Sequence, residues 1–111
     1  MAEKQYIYAL DTFGKCEPNK FGYAEIKGQR CVGCFSSLEN AEKAVLSNIG
    51  DIYECGTYPF AQIERVGLDG VYQQDIDSRQ WYEWVGGICT GHYERRPVPE
   101  CLKHLDICGI G

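Results

Sequence analysis

Two short cysteine motifs supply residue types that bind metal ions or exchange electrons. Cys31 and Cys34 form a C-x-x-C motif, and Cys101 with His104 forms a C-x-x-H motif near the end of the chain. Together they offer the four thiolate and imidazole ligands of a tetrahedral zinc site, with Cys108 as a substitute ligand. The alternative, which we favour, is that these thiols are buried or lie at a sheet edge, and that no metal or other cofactor is bound.

A redox role for the C-x-x-C motif has less support from the sequence. A thioredoxin-type pair precedes a helix within a βαβ pattern, and that pattern is missing here. If residues 30–35 are extended, Cys31 and Cys34 point to opposite faces of the strand. We therefore expect this motif to be the end of a strand that leads into a helix.

A cluster of aromatic and basic residues near residue 90 suits ligand binding. It comprises Trp81, Tyr82, Trp84, His92, Tyr93, Arg95 and Arg96. In a strand, Trp81 faces one side while Tyr82 and Trp84 face the other. Exposed aromatic rings beside arginines can stack a nucleobase and clamp its phosphate, or anchor a protein interface. The alternative is that both tryptophans belong to the core and the arginines are solvated.

Catalytic motifs are missing from the sequence. There are only two histidines, His92 and His104, and no phosphate-binding glycine loop, nucleophile elbow or H-E-x-x-H motif. Asp75 and Asp77 have the first spacing of a calcium loop, but its glycine and closing glutamate are lacking. We predict a protein that is not an enzyme, with a zinc- or cysteine-dependent small enzyme as a remaining alternative.

Composition limits the choice of partners. The chain has 111 residues and a net charge of -5, and it contains no basic tract. Binding to duplex nucleic acid through phosphate neutralisation is therefore not expected. An acidic surface favours a basic protein partner or a small ligand in a local pocket. The N-terminus lacks the features of a signal peptide, and no apolar run is long enough to span a membrane, so we expect a cytoplasmic protein.

The element that positions the C-x-x-C motif is a predicted amphipathic helix at about residues 36–49. Ser36 with Glu39 has the spacing of a capping box, and Gly50 is placed to end the helix. The apolar residues at helical spacing are Leu38, Ala41, Val45 and Ile49. They form one stripe, so this helix is expected to pack on one face of a sheet.

Strands account for most of the remaining chain. The segments QYIYALDTFG, FGYAEIKG and QRCVGCF precede the helix, with KCEPNK as a turn; DIYECGTY, FAQIERV, QWYEWV and part of ICTGHYERR follow it. The last two predict a hairpin that presents the aromatic cluster. ECLKHLDICG predicts a short C-terminal helix. The order indicates one α+β domain over residues 1–111, with a mostly antiparallel sheet and one packed helix.

Several segments together resemble a group of small proteins encoded by phages and prophages. The segments FSSLENAEKAV, NIGDIYEC, AQIERV, GVY, WYEW and PECLKH resemble uncharacterised proteins from phages of Gram-positive bacteria, over residues 5–108. The resemblance implies a protein that counters host defence by binding, in the host cytoplasm. It assigns no catalytic residues.

Three functional hypotheses follow from the resemblance and the residues together. The leading one is a non-catalytic sponge that sequesters a nucleotide-derived immune signal, a cyclic nucleotide or an ADP-ribose-like molecule, in the aromatic and arginine pocket. Such sponges are commonly homo-oligomers with pockets at subunit boundaries. The second is an acidic inhibitor that binds an immune effector protein, of the anti-CRISPR type. The third is the zinc- or cysteine-dependent enzyme.

Overall fold

The computed structural model describes residues 5–21, 24–68, 71, 73 and 75–102. Within them lie one α-helix, α1 (Leu38–Leu46), and the strands β1 (Tyr6–Phe13), β2 (Lys15–Pro18), β3 (Ala24–Lys27), β4 (Arg30–Phe35), β5 (Phe60–Gly67), β6 (Gln80–Val85) and β7 (His92–Arg96). Five strands form an antiparallel sheet in the order β4-β1-β5-β6-β7, and β2 pairs with β3 alone. The predicted α+β fold is confirmed.

Helix α1 packs on one face of the five-stranded sheet and covers an apolar core. The helix contributes Ala41, Ala44 and Val45, which are at most 3% exposed. The sheet contributes Leu10, Ala61, Ile63, Tyr82 and Tyr93. Burying a side chain of the size of Val45 stabilises the fold by about 1.5–3 kcal/mol, so the amphipathic stripe explains why the helix docks here.

The bounds of the helix differ from the sequence prediction at both ends. Ser37, not Ser36, is the N-cap, because its Oγ accepts a hydrogen bond from the Asn40 backbone N–H at 3.2 Å. At the other end, Asn48 adopts a left-handed φ of 48°, which no helix can continue. The helix therefore stops at Leu46, before the predicted glycine.

The opposite face of the sheet combines apolar and charged residues. Phe13 and Trp81 pack there with Leu102. Beside them, Glu64 and Arg79 form a fully buried ion pair with 2.5 Å between Oε1 and Nε. Arg79 also donates a hydrogen bond to the Leu102 carbonyl at 3.1 Å. A buried charge requires such a partner, so this pair fixes the segment before β6 against β5.

Two segments have a different secondary structure from the predicted one. Lys15–Pro18, predicted as part of a turn, is a strand that pairs with Ala24–Lys27. DIYECGTY (residues 51–58), predicted as strand material, begins at the last residue of the 3-10 turn Ile49–Asp51 and contains the 3-10 turn Glu54–Gly56. In DIYECGTY the cause is the local backbone. Asp51, Glu54 and Cys55 have positive φ, and residues with positive φ cannot continue a β ladder.

The predicted hairpin is confirmed as β6 paired with β7. Its connection is residues 86–91, in which the N–H groups of Thr90 and Gly91 both donate to the Gly87 carbonyl. The described part of the predicted C-terminal helix holds only the 3-10 turn Glu100–Leu102, and residues 103–111 lie outside the described residues. Among the described helices, none is long and apolar enough to cross a membrane.

Candidate functional site

The aromatic residues of the hairpin lie mostly inside the protein. Trp81 is 2% exposed and packs against the rings of Phe13 and Phe60 on the face opposite the helix. Tyr82 and Tyr93 are 1% and 0% exposed on the helix face. Burial raises the pKa of Tyr82 to about 12, so its hydroxyl stays protonated under ordinary conditions. These three rings form core contacts and offer no free face for stacking.

Trp84 is the half-buried exception among the predicted aromatic ligands. Its ring stacks on Tyr53 at 3.8 Å between centroids, and it meets Tyr93 edge to face at 5.1 Å. Its indole N–H donates to the Gly87 carbonyl at 3.1 Å. The indole is therefore held rigidly, with its rim on a surface cleft.

The charged residues of the hairpin are more accessible than its aromatic rings. Arg96 lies 3.3 Å from a Glu94 carboxylate oxygen and 4.0 Å from one of Glu83, and His92 lies 3.9 Å from Glu94. Arg95 is exposed, and its guanidinium makes no hydrogen bond or ion pair with the described part of the chain. A small cleft of about 280 Å³ lies beside these arginines and is also lined by Arg79, Gln80 and Trp81. Among the described residues, Arg95 has the one guanidinium that no carboxylate neutralises.

A second region, which we call the left-handed loop (residues 48–56), contains the unusual backbone of the molecule. Four of its non-glycine residues have φ between 48° and 52°: Asn48, Asp51, Glu54 and Cys55. Gly50 and Gly56 also have positive φ. Each such conformation costs a non-glycine residue about 1 kcal/mol or more, least for asparagine, so the surrounding structure must hold this loop.

Specific contacts hold the left-handed loop in place. The Asn48 side chain accepts a hydrogen bond from the Tyr53 N–H at 2.9 Å and donates one to Asp51 at 3.1 Å. The Tyr53 ring stacks on Trp84. From β4, Arg30 pairs with Glu54 at 2.7 Å and donates to the Ile52 carbonyl at 3.3 Å. The loop is therefore fixed to both the hairpin and strand β4.

Two surface clefts border the left-handed loop, and Asp51 lines both. One, of about 380 Å³, lies towards the hairpin and is lined also by Leu46, Cys55, Trp84, Ile88 and His92. The other, of about 530 Å³, lies towards β4 and is lined also by Arg30, Cys31, Val32, Ile49 and Glu54. Leu46, Ile49 and Ile88 are 54%, 57% and 55% exposed, although they are large and apolar. The loop thus presents an acidic group within an exposed apolar surface.

The Asp51 carboxylate is ionised at neutral pH. Hydrogen bonds from the Asn48 amide and the Cys55 thiol lower the pKa of Asp51, and the Asp51 contact raises the pKa of Cys55 in turn. No cation in the described part of the chain forms a salt bridge with Asp51. Asp51 therefore keeps a negative charge that is available to a partner.

The sequence analysis missed this region because no periodic pattern marks it. The available signal was a set of residue types that favour positive φ, namely Asn48, Gly50 and Gly56. Neither Glu54 nor Cys55 favours that conformation, so their left-handed backbone had no sequence signature. Arg30 had none either, since it is one basic residue within a strand.

The cysteine motifs occupy two places in the fold. Cys31 and Cys34 lie on the edge strand β4, while Cys101 packs beside the buried group that contains Trp81. Within the described residues, no three histidine, cysteine or acidic side chains are grouped as a metal site. His104 and Cys108 lie outside the described residues, so the four-ligand zinc hypothesis stays a prediction.

The bulge in strand β4 corrects the expectation that Cys31 and Cys34 face opposite ways. Cys34 pairs with Ala9, and Cys31 pairs with Asp11, because the register shifts by one residue at Val32. Ala9 and Asp11 are two residues apart on β1 and share a face. Both cysteines therefore point to that face.

In comparisons with known proteins, no family model, no curated protein and no solved structure matches the chain.

Proposed function

We propose that this protein is a non-catalytic binding protein, and that it acts by docking the left-handed loop onto a basic surface of another protein. The observation that favours this proposal is the position of Asp51. Its carboxylate is charged, unpaired with any described cation, and placed between the exposed apolar residues Ile49 and Ile88. Protein interfaces commonly combine an apolar centre with a few well-placed charges.

The backbone of the loop supports the same proposal. Binding surfaces gain affinity when they are ordered before the partner arrives, because less entropy is lost on association. Here the contacts of Asn48, Tyr53 and Arg30 order the loop in advance. Strained backbone that is held in this way is typical of functional segments rather than of structural connections.

The overall charge and the resemblance indicate the kind of partner. A protein with a net charge of -5 is attracted to basic surfaces, and nucleic-acid-handling proteins present basic grooves. We therefore propose an immune effector of the host as the partner, and the host cytoplasm as the location. This corresponds to the acidic inhibitor considered from the sequence.

The test is a binding titration against a panel of purified RNA-guided nucleases at increasing salt concentration. Asp51→Asn keeps the shape of the side chain and suits the left-handed backbone, so folding should be preserved. We expect this variant to bind roughly tenfold or more weakly, about 1.4 kcal/mol, and to lose part of the salt dependence. The matched control is Asp77→Asn, an exposed acidic residue before β6, which should bind like the parent.

The apolar part of the surface has its own matched pair of variants. Ile49→Asp should abolish binding, whereas Leu68→Asp should not, because Leu68 is 44% exposed at the far end of β5. If Asp51→Asn and Ile49→Asp both bind with the affinity of the parent, the left-handed loop is not the interface. If no member of the panel binds the parent, the assignment to such an effector is wrong.

A nucleotide-derived ligand is the second candidate function, and Arg95 favours it. Its guanidinium is exposed and carries no carboxylate partner among the described residues, as a phosphate-binding group requires. Burial of Trp81, Tyr82 and Tyr93 leaves Trp84 as the remaining aromatic group of the predicted pocket. Cyclic nucleotides and ADP-ribose at a hundred times the expected Kd would raise the stability by about 2.7 kcal/mol. Thermal melts of the parent and of Arg95→Ala test this, and native mass spectrometry reports whether the binding species is a homo-oligomer.

A further inference from the structure

The C-x-x-C motif of β4 has a geometry that a regular strand would not give it. In a regular strand, residues three apart point to opposite faces. The one-residue bulge at Val32 cancels this alternation, so that Cys31 and Cys34 lie opposite Asp11 and Ala9 on one face. Val32 itself packs into the core under the helix. The bulge in strand β4 therefore places the two thiols side by side.

Both thiols are accessible and lie on the same face of β4. Cys31 and Cys34 are exposed and carry free thiols. Cys34 is close enough to Cys31 to contribute to its raised pKa, and the Cys31 thiol donates to the Gly33 carbonyl at 3.7 Å. Strand β4 is at the edge of the sheet, and none of the other described strands pairs with its free side. Small-molecule thiols and disulfides can therefore reach the two thiols.

We propose that Cys31 and Cys34 are a dithiol oxidation site, which forms an intramolecular disulfide by exchange with a low-molecular-weight disulfide of the glutathione type. The site requires only the edge-strand position and the bulge that aligns the two sulfurs. It involves neither Asp51 nor the left-handed loop in its chemistry, so it stands whether or not the proposed function is correct.

The exchange takes place in two steps. The Cys34 thiolate attacks one sulfur of the small disulfide, the S–S bond breaks, and one small thiolate leaves and takes up a proton. The Cys31 sulfur then loses its proton, attacks the Cys34 sulfur of the mixed disulfide, and expels the second small thiol. In total, two protein thiols are oxidised to one disulfide, and one small disulfide is reduced to two thiols.

The environment of Cys31 supports this order of events. Desolvation, together with the Asp11 carboxylate, raises the pKa of Cys31 to about 11. A thiol with such a pKa is largely protonated near neutral pH and is a slow first nucleophile. Once Cys34 carries the mixed disulfide, proximity compensates for this low reactivity, because the second step is intramolecular.

The test is equilibration of the folded protein in mixtures of oxidised and reduced glutathione, followed by acid quenching, alkylation and tryptic mapping. Trypsin cuts after Arg30 and Lys43, so both thiols fall in one peptide that contains no other cysteine. We expect this peptide to lose the mass of two hydrogens and to resist alkylation, and reduced dithiothreitol should restore it. The same result should be seen in a Cys55→Ser, Cys89→Ser double variant.

Single variants separate the proposed site from general thiol oxidation. Cys31→Ser should stop at a mixed disulfide with glutathione on Cys34, and Cys34→Ser should react several-fold more slowly. Both residues are exposed, so circular dichroism should show that both variants fold. The proposal is overturned if, in the parent, the two cysteines are alkylated independently after equilibration, or if either joins Cys55 or Cys89 instead.

Discussion

The hairpin β6–β7 and the left-handed loop touch each other through Trp84 and Tyr53, yet they are built in opposite ways. In the hairpin, regular pairing buries Trp81, Tyr82 and Tyr93. In the loop, hydrogen bonds and one ion pair hold a backbone that few residues adopt; Ile52 and Tyr53 pack inwards, and Ile49 faces outwards. Residue types that look suited to ligands can thus be structural, while the accessible chemistry lies in a segment without any periodic pattern.

The largest effect on stability is expected when an aromatic side chain of the hairpin is truncated. Trp81→Ala removes a buried ring that contacts Phe13 and Phe60, and we expect a loss of about 3–5 kcal/mol in the free energy of unfolding. Ile49→Ala in the loop should change it by less than about 0.5 kcal/mol, because Ile49 is exposed. Urea denaturation measures both. Equal losses would mean that Ile49 is packed as tightly as a core residue.

Alkaline pH should destabilise the protein through the hairpin tyrosines. The pKa of Tyr82 is about 12 in the folded state and about 10 in the unfolded chain. Its contribution is complete below pH 10 and is lost as the pH rises towards 12, because only the unfolded state then releases the proton. The loss for this tyrosine is about 2 kcal/mol.

The control for this pH dependence is Tyr82→Phe, which has no proton to lose at this position. Its stability should fall less steeply than that of the parent between pH 10 and 12, measured by urea denaturation at fixed ionic strength. Tyr93, whose pKa is also raised by burial, and Cys31, whose pKa is about 11, contribute to the slope that remains in this variant. Identical slopes for parent and variant would contradict the assignment to Tyr82.

The loop should respond to loss of its asparagine more than its exposure indicates. Asn48→Ala removes the hydrogen bond to the Tyr53 N–H and places alanine at a φ of 48°. We expect a loss of about 1–3 kcal/mol, from the unpaired N–H and the unfavourable backbone. Asn40→Ala on the exposed face of α1 is the control and should have little effect. An unchanged midpoint in urea for Asn48→Ala would show that the loop is held elsewhere.

The smallest expected effect has the opposite sign. Cys55→Gly relieves a left-handed residue at a φ of 51°, and we expect a gain of up to about 1 kcal/mol in stability. The gain is reduced by the loss of the weak Cys55 contact to Asp51. Cys89→Gly, in the hairpin connection, is the comparison and should give no gain. A loss in the Cys55 variant would mean that its side chain contacts outweigh the backbone strain.

The sequence predicts the fold better than it predicts the surface. Alternation and helical spacing identify β1, α1, β5 and the hairpin, because these elements bury one face each. The end of α1 is predicted too late, since Asn48 turns the chain before Gly50 does. The Glu64–Arg79 pair is likewise invisible in the sequence, because the two residues meet only after β5 and β6 pair.

The candidate site follows the same division. Periodicity places Trp81 and Tyr82 on opposite faces correctly, but it does not say that both faces of this sheet are covered. The faces of Cys31 and Cys34 are predicted wrongly, because a bulge changes the register and no residue type in the sequence indicates it.

The extra residue in β4 has a consequence for insertions and deletions along this strand. Arg30 reaches the left-handed loop only because the bulge places its side chain on the same face of the sheet as residues 33 and 35. Deletion of Val32 would restore an uninterrupted ladder and would leave Arg30 opposite Thr12 and Cys31 opposite Asp11, so both side chains would keep their faces. If the strand instead kept all its residues and lost the bulge, Val32 would pair with Asp11 and Arg30 would turn to the other side of the sheet. That change would disconnect Arg30 from the loop and separate the two thiols in one step.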